Sequence, residues 1–151
     1  MKTIKVLLSA LVISAFSFSC SSDDDGSSTG GDLTARWNPT KTIVKISGES
    51  FTQNYTSNEP GCDKDYIEFT DGGLVNNAIY FKNAEEVCTQ DAATPVEYTR
   101  TDNTLVIADG EYGGTYEISK LTGSELQIKQ TSTSGGITSE TTVYFSKASN
   151  N

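Results

Sequence analysis

From residue 66 onward, apolar and polar positions alternate with a period of two. Ile67 and Phe69 share one side of a run whose other side is Tyr66 and Glu68. Val96 and Tyr98 alternate with Glu97 and Thr99, Tyr116 and Ile118 with Glu117 and Ser119, and Leu126 and Ile128 with Gln127 and Lys129. Leu105 and Ile107 follow a turn at Asp102-Asn103, and Thr141, Val143 and Phe145 alternate with Thr142 and Tyr144. Successive side chains of a strand point to opposite faces, so the pattern predicts antiparallel strands that cover one core with one face. Asp71-Gly72-Gly73, Asp109-Gly110, Thr122-Gly123-Ser124 and Ser134-Gly135-Gly136 are turn signals between the runs. The expectation is an all-β fold of eight or nine strands joined mostly by short hairpins. No convincing stretch has helical periodicity, and 83–93 has room for one helical turn. Consecutive hairpins of this number form an up-and-down meander that closes naturally into a barrel. A Greek-key sandwich needs longer crossovers, and 83–95 is the only long connection the pattern leaves.

The first 32 residues do not follow this pattern. Lys2 and Lys5 precede an uncharged apolar run from Val6 to Phe18, the layout of a secretory signal peptide over 1–19. The run has about 13 residues, short of the roughly 20 needed to span a bilayer as a helix. Cys20 at the cleavage point resembles the lipobox of bacterial lipoproteins, although Ser17 stands where that family usually has an aliphatic residue. The resemblance covers 1–25 and implies that the Cys20 thiol and new amine are acylated, palmitate included, which makes a stable membrane anchor. The alternative is ordinary secretion with cleavage near Ser19. Ser22-Asp23-Asp24-Asp25 resembles the export signal that takes some Gram-negative lipoproteins to the outer face of the outer membrane. The other reading of those aspartates is a solvated acidic spacer held extended by like charges. Glycine and serine around them give 20–32 the composition of a flexible, lipidated linker. About 12 such residues reach roughly 20 Å. Residues 33–147 are then one domain, and 148–151 a short tail.

The chain has 151 residues and a formal net charge of −9, and loss of Lys2 and Lys5 makes the mature form more acidic. That balance offers no electrostatic footprint for nucleic acid and argues against docking on an anionic membrane face, leaving the lipid as anchor. Two cysteines remain after Cys20. In a protein that crosses an oxidising compartment, Cys62 and Cys88 read as a disulfide. Closing a loop of about 26 residues is worth roughly 3.5 kcal/mol on a chain-entropy estimate. A metal site at two lone thiols would lack further ligands, because the chain has no histidine.

Three stretches in order resemble the lipocalin-like domains of bacterial surface lipoproteins. Leu33-Thr34-Ala35-Arg36-Trp37 sits where that family has Gly-x-Trp at the start of its first strand, with Ala35 in place of glycine. Cys62 to Gly72 is similar to the family's cysteine, charged turn, strand and Asp-Gly hairpin, and Tyr116 to Leu126 to a late hairpin. The resemblance spans nearly all of 33–147 and implies a lipocalin-like barrel with Trp37 closing one end. It also implies a binding protein for a small apolar or amphipathic molecule at the cell envelope.

Catalytic chemistry finds little support. Without histidine there is no Ser-His or Cys-His pair. Glu85-Glu86 and Asp63/Asp65 are the carboxylate pairs. They lie beside cysteines in expected loops, where solvated charge is the ordinary explanation. Asp63-x-Asp65 lacks the full oxygen spacing of an EF-hand. No enzyme activity, cofactor or metal is expected. The candidates for lining a ligand are Trp37, Phe69, Tyr98, Tyr116 and Phe145 on the apolar faces. Arg100 shares a face with Tyr98: at an open barrel end it would meet an anionic ligand, and the ordinary reading is an exposed strand terminus. The default role of each aromatic is core packing. A barrel of about eight strands either fills with side chains or holds one small ligand. Two functions therefore stand: a ligand-binding protein, or a filled barrel that acts as an interaction subunit of an envelope complex. An enclosed cavity of about 300 Å³ or more separates them.

Overall fold

Ten antiparallel strands build the protein in the computed structural model, which describes residues 28–149. They are β1 (Ala35–Ile46), β2 (Glu49–Asn54), β3 (Tyr66–Phe69), β4 (Leu74–Lys82), β5 (Cys88–Ala92), β6 (Val96–Thr101), β7 (Thr104–Ile107), β8 (Gly114–Leu121), β9 (Glu125–Ser134) and β10 (Ile137–Lys147). Among the described residues there is no helix. The signal peptide, Cys20, Ser22, Asp23, Asp24 and Asp25 lie outside the described residues.

The pairings reduce ten strands to eight staves. The far half of β1 pairs with β2 and its near end pairs with β3, so β2 and β3 are one stave interrupted by 55–65. The far half of β4 pairs with β5 and its near end with β6, so β5 and β6 are a second broken stave. The ring then runs β1, β2/β3, β4, β5/β6, β7, β8, β9, β10. It closes where β10 pairs with β1 from Trp37↔Lys147 to Ile46↔Ser139. The meander barrel expected from the alternation is therefore present. The helical turn considered for 83–93 is not. Asn83 instead closes a tight turn, with its Oδ1 accepting from the N–H groups of Glu85 and Val87, and β5 follows. Cys88-Thr89-Gln90-Asp91-Ala92 shows no apolar alternation because that strand is almost wholly exposed. The long connection is 55–65 rather than 83–95.

Parity puts the expected residues inside. Trp37, Ile67, Phe69, Val75, Leu105, Ile107, Ile118, Leu121, Leu126, Ile128 and Phe145 form one buried cluster with Leu33. Burying one such side chain is worth about 1.5–3 kcal/mol. One end of the barrel is sealed by residues 28–34, part of which was expected as free linker. Gly31 N–H donates to the Leu121 carbonyl (3.1 Å), and Leu121 N–H donates to the Ser28 carbonyl (2.6 Å). The approach requires glycine: a Cβ on residue 31 would stand 2.8 Å from the Leu121 oxygen. Leu33 is buried under this strap, and its carbonyl accepts from Trp37 Nε1–H at 2.9 Å.

At the opposite end, the strap has no counterpart among the described residues, and two flanges extend past the ring. One is formed by the far halves of β9, β10 and β1 together with β2. Its β1–β2 turn, Ser47-Gly48, has both φ angles positive (52° and 88°), the conformation a two-residue hairpin favours. The other flange is the β4–β5 hairpin. Cys62 in the 55–65 insert is bonded to Cys88 at the start of β5, with Cα atoms 5.5 Å apart. Replacing both cysteines by serine is expected to cost about 2–4 kcal/mol. Denaturant unfolding of the oxidised protein against the double variant measures this, and a difference under 0.5 kcal/mol would contradict it.

Candidate functional site: the open mouth

The open end is built from residues whose parity follows the core. On β10, Phe145 and Val143 pack into the barrel, so Thr141, Ser139 and Ile137 continue the same inward face. Val44 pairs with Thr141 and Ile46 with Ser139, while Phe51 lies across from Val44. On β4, Val75 and Asn77 face inward opposite Phe69 and Ile67, and Ile79 and Phe81 continue that face. These flange residues are not covered: Phe51 is 59 % exposed, Ile137 56 %, Ile79 and Phe81 41 % each, and Ile46 38 %. In the ring order, β4/β5 stands across from β9/β10, so Ile137 lies on the side of the mouth opposite Ile79 and Phe81, while Phe51 on β2 is in the stave next to β4.

The floor of the mouth is the β7–β8 loop, 108–113. Tyr112 drops from it against Phe145, ring centroids 5.7 Å apart. Burial, with Glu111 beside it, raises the Tyr112 phenol above the ordinary tyrosine range. Glu111 is tied to the inner face by Asn77 Nδ2, which donates to its Oε2 at 2.9 Å. Val75, Val96, Ile107 and Tyr112 enclose a cleft of about 30 Å³ there. That is room for a water or two, about a tenth of the roughly 300 Å³ that a ligand pocket needs.

Little of this space involves the residues singled out from sequence. Trp37, Phe69 and Phe145 are fully buried in the core. Tyr98 packs edge-on to Phe69 (5.0 Å) and donates its hydroxyl to the Thr70 carbonyl (3.1 Å). Tyr116 is half-buried against the same cluster. None of the five lines the mouth cleft. Arg100 is at the strapped end, not the open one. Its Nη2 donates to the Thr29 carbonyl, its Nη1 to the Gly31 carbonyl and its Nε to the Asp102 carbonyl. The guanidinium is thus spent on holding the strap. Ile79, Phe81, Phe51 and Ile137 were missed because two of them sit in weakly patterned strands and because exposure cannot be read from alternation. A tyrosine within Asp109-Gly110-Glu111-Tyr112-Gly113-Gly114 was the available signal: an aromatic in a glycine-rich turn.

Asp65 also departs from expectation. It is not a solvated loop charge but 2 % exposed, and both carboxylate oxygens accept hydrogen bonds, from Tyr55 Oη–H (2.6 Å) and Tyr80 N–H (2.7 Å). A second concavity of about 1200 Å³ is a broad, half-open groove on the outer wall. Its central groups are committed to each other: Arg36 donates to Glu68 at 3.0 Å and lies 4.4 Å over the Tyr66 ring. Among the described residues, no three His, Cys, Asp or Glu side chains are grouped to hold a metal ion.

A closed meander barrel, strapped at one end and open at the other with apolar walls, belongs to the class of cup-shaped β-barrel proteins. The lipocalin-like domain family model matches residues 33–128, and the chain belongs to that family. No curated protein matches the chain. Among solved structures it is similar to bovine odorant-binding protein. The complex with a selenium-containing odorant is 18 % identical, with 83 % of this chain and 78 % of that chain covered at a TM-score of 0.42. The undecanal complex is 19 % identical, with 85 % and 79 % covered and a TM-score of 0.41. A deswapped triple mutant is 22 % identical, with 78 % and 75 % covered and a TM-score of 0.40.

Proposed function

We propose that this protein is a lipid-anchored, lipocalin-like lipoprotein of the outer membrane, displayed at the cell surface, that holds a small apolar or amphipathic ligand in its open mouth. The observation that carries the binding reading is the pair of flanges, whose inward apolar residues stay exposed across the mouth. The core beneath is full, so the ligand rests between the flanges instead of being swallowed by the barrel. The role proposed for the mouth is binding rather than catalysis. Chemical-shift mapping with octyl glucoside tests it. Amide shifts are expected on β2, β4 and β10 at Phe51, Ile79, Phe81 and Ile137, and shifts confined to the outer wall or none at all would reject the reading.

The filled core, whose cleft of about 30 Å³ falls well short of the roughly 300 Å³ of an enclosed pocket, favours a second reading, an interaction subunit of an envelope complex with no ligand, to which failure of that titration would move the protein. The anchor is checked in cells. The Cys20→Ala variant is expected to leave the membrane fraction or remain unprocessed. Alanine at Asp23, Asp24 and Asp25 is expected to keep the anchor but lower protease accessibility on intact cells. A processed Cys20→Ala protein still in the membrane fraction would refute lipidation, and unchanged accessibility would reduce the aspartates to a spacer.

A further inference from the structure

The apolar walls of the mouth carry charge of one sign. Glu49 pairs with Ile46 and Asp91 with Ile79, which puts both carboxylates on the inward face of the flanges. Glu111 is bound to inward-facing Asn77, and Asp109 lies in the same floor loop with Tyr112. The cations are elsewhere. Arg36, Lys45, Lys120 and Lys129 pair with carboxylates on the outer wall, and Lys82, on the outward face of the β4–β5 flange, pairs with Glu86 in its turn. Lys41 lies over the outward Tyr144 ring, Lys64 and Lys147 line the outer groove, and Arg100 holds the strap. Among the described residues, then, no lysine or arginine answers the four carboxylates around the apolar mouth.

We infer that the mouth is selective for positively charged amphiphiles: an apolar body lies between Ile137 and Ile79/Phe81, with Phe51 beside it, and an ammonium or guanidinium head meets Asp91 and Glu111. The inference rests on the mouth-binding reading and adds the sign of the ligand's charge. An apolar wall alone accepts any tail, whereas carboxylates within a Debye length of the head favour a cation and penalise an anion. The arrangement also explains why the carboxylates surround the apolar patch instead of the lysines that the outer wall uses.

The test uses three probes with the same eight-carbon tail, octyltrimethylammonium, octyl glucoside and octanoate, titrated below their micellar range into the full mature chain in its lipid-free Cys20→Ala form. The cation is expected to bind about tenfold tighter than the glucoside, with octanoate weakest and the preference falling as salt rises. Asp91→Asn and Glu111→Gln are each expected to weaken the cation about two- to fivefold without changing glucoside binding. Asp71→Asn, the same charge change at the strapped end, is the control for net charge and is expected to leave the preference intact. Equal binding of cation and glucoside, or an Asp71→Asn effect as large as that of Asp91→Asn, would overturn the inference while leaving a mouth that binds tails. Binding of none of the three would overturn the mouth reading itself.

Discussion

Replacing Trp37 by alanine is expected to remove about 3–5 kcal/mol of stability, the range for truncating a buried tryptophan. The site offers no means of relaxing. Trp37 is fully buried on β1, between β10 at Lys147 and β3 at Ile67, so the strands on both sides hold the backbone while the side chain disappears. The indole also ties the strap to the barrel through its bond to the Leu33 carbonyl. Small domains have about 5–15 kcal/mol in all, so the loss is a large share of the total. Thermal unfolding should fall by on the order of 15 °C. Trp37→Phe separates the two contributions: it keeps most of the packing and strands the carbonyl, at about 1–3 kcal/mol. Hydrogen exchange adds a local readout. The Gly31 and Leu121 amides, which hold the strap, should exchange faster in both variants. A Trp37→Ala protein within 1 kcal/mol of the parent would mean that the closed end is not built on this residue.

The alternation that predicted the barrel was legible because β6, β7, β8 and β9 each turn one face to the core and the other outward, and β3 and β10 keep the pattern although the outward Tyr66 and Thr142 are buried as well. Where a strand lacks that asymmetry, the signal fails. β2 is exposed on every residue, and β5 nearly so, because both lie in flanges beyond the closed core. Neither sequence has an apolar period to read. β1 hides its far half for another reason. A register shift between Pro39 and Lys41 changes which residues face inward, so Trp37 and Pro39 point in while Thr42 and Val44 carry the face onward. Arg100 shows a related limit. Its face was readable, but the end of the barrel it occupies depends on the direction of β6, which only the closed topology decides. The candidate site was therefore the least legible part. It lies where strands outrun the core and apolar residues are exposed, and periodicity reports burial.

A larger surprise for residue-level reading is Asp65, and its removal should be among the costliest single changes. β3 stops at Tyr66 while β4 runs on, so the Tyr80 N–H is left one step beyond the ladder. The Asp65 carboxylate takes that N–H and, with its other oxygen, the Tyr55 hydroxyl. Its own N–H donates to Asn58 Oδ1, and its carbonyl accepts from Asn38 Nδ2. The residue thus joins β1, the 55–65 insert and β4 where the broken stave leaves a gap. Burial, and then the bond to Asp65, raise the Tyr55 phenol above its ordinary range, so it stays a donor into alkaline pH. Alanine at 65 takes the acceptor from two part-buried donors, at about 1–2 kcal/mol each, for an expected loss of about 2–4 kcal/mol. Asparagine keeps an acceptor for Tyr80 and an amide that Tyr55 can accept from, so its cost should be about 1–2 kcal/mol. Tyr55→Phe should cost about 1.5–3 kcal/mol, because it leaves one oxygen of a buried carboxylate short of a donor. If the two groups act as one unit, the Asp65→Asn/Tyr55→Phe double variant will lose less than the sum of the singles, by about 1 kcal/mol or more. Urea unfolding of the four proteins decides it. Strict additivity, or an Asp65→Ala loss below 1 kcal/mol, would show that the gap in the stave does not depend on this carboxylate.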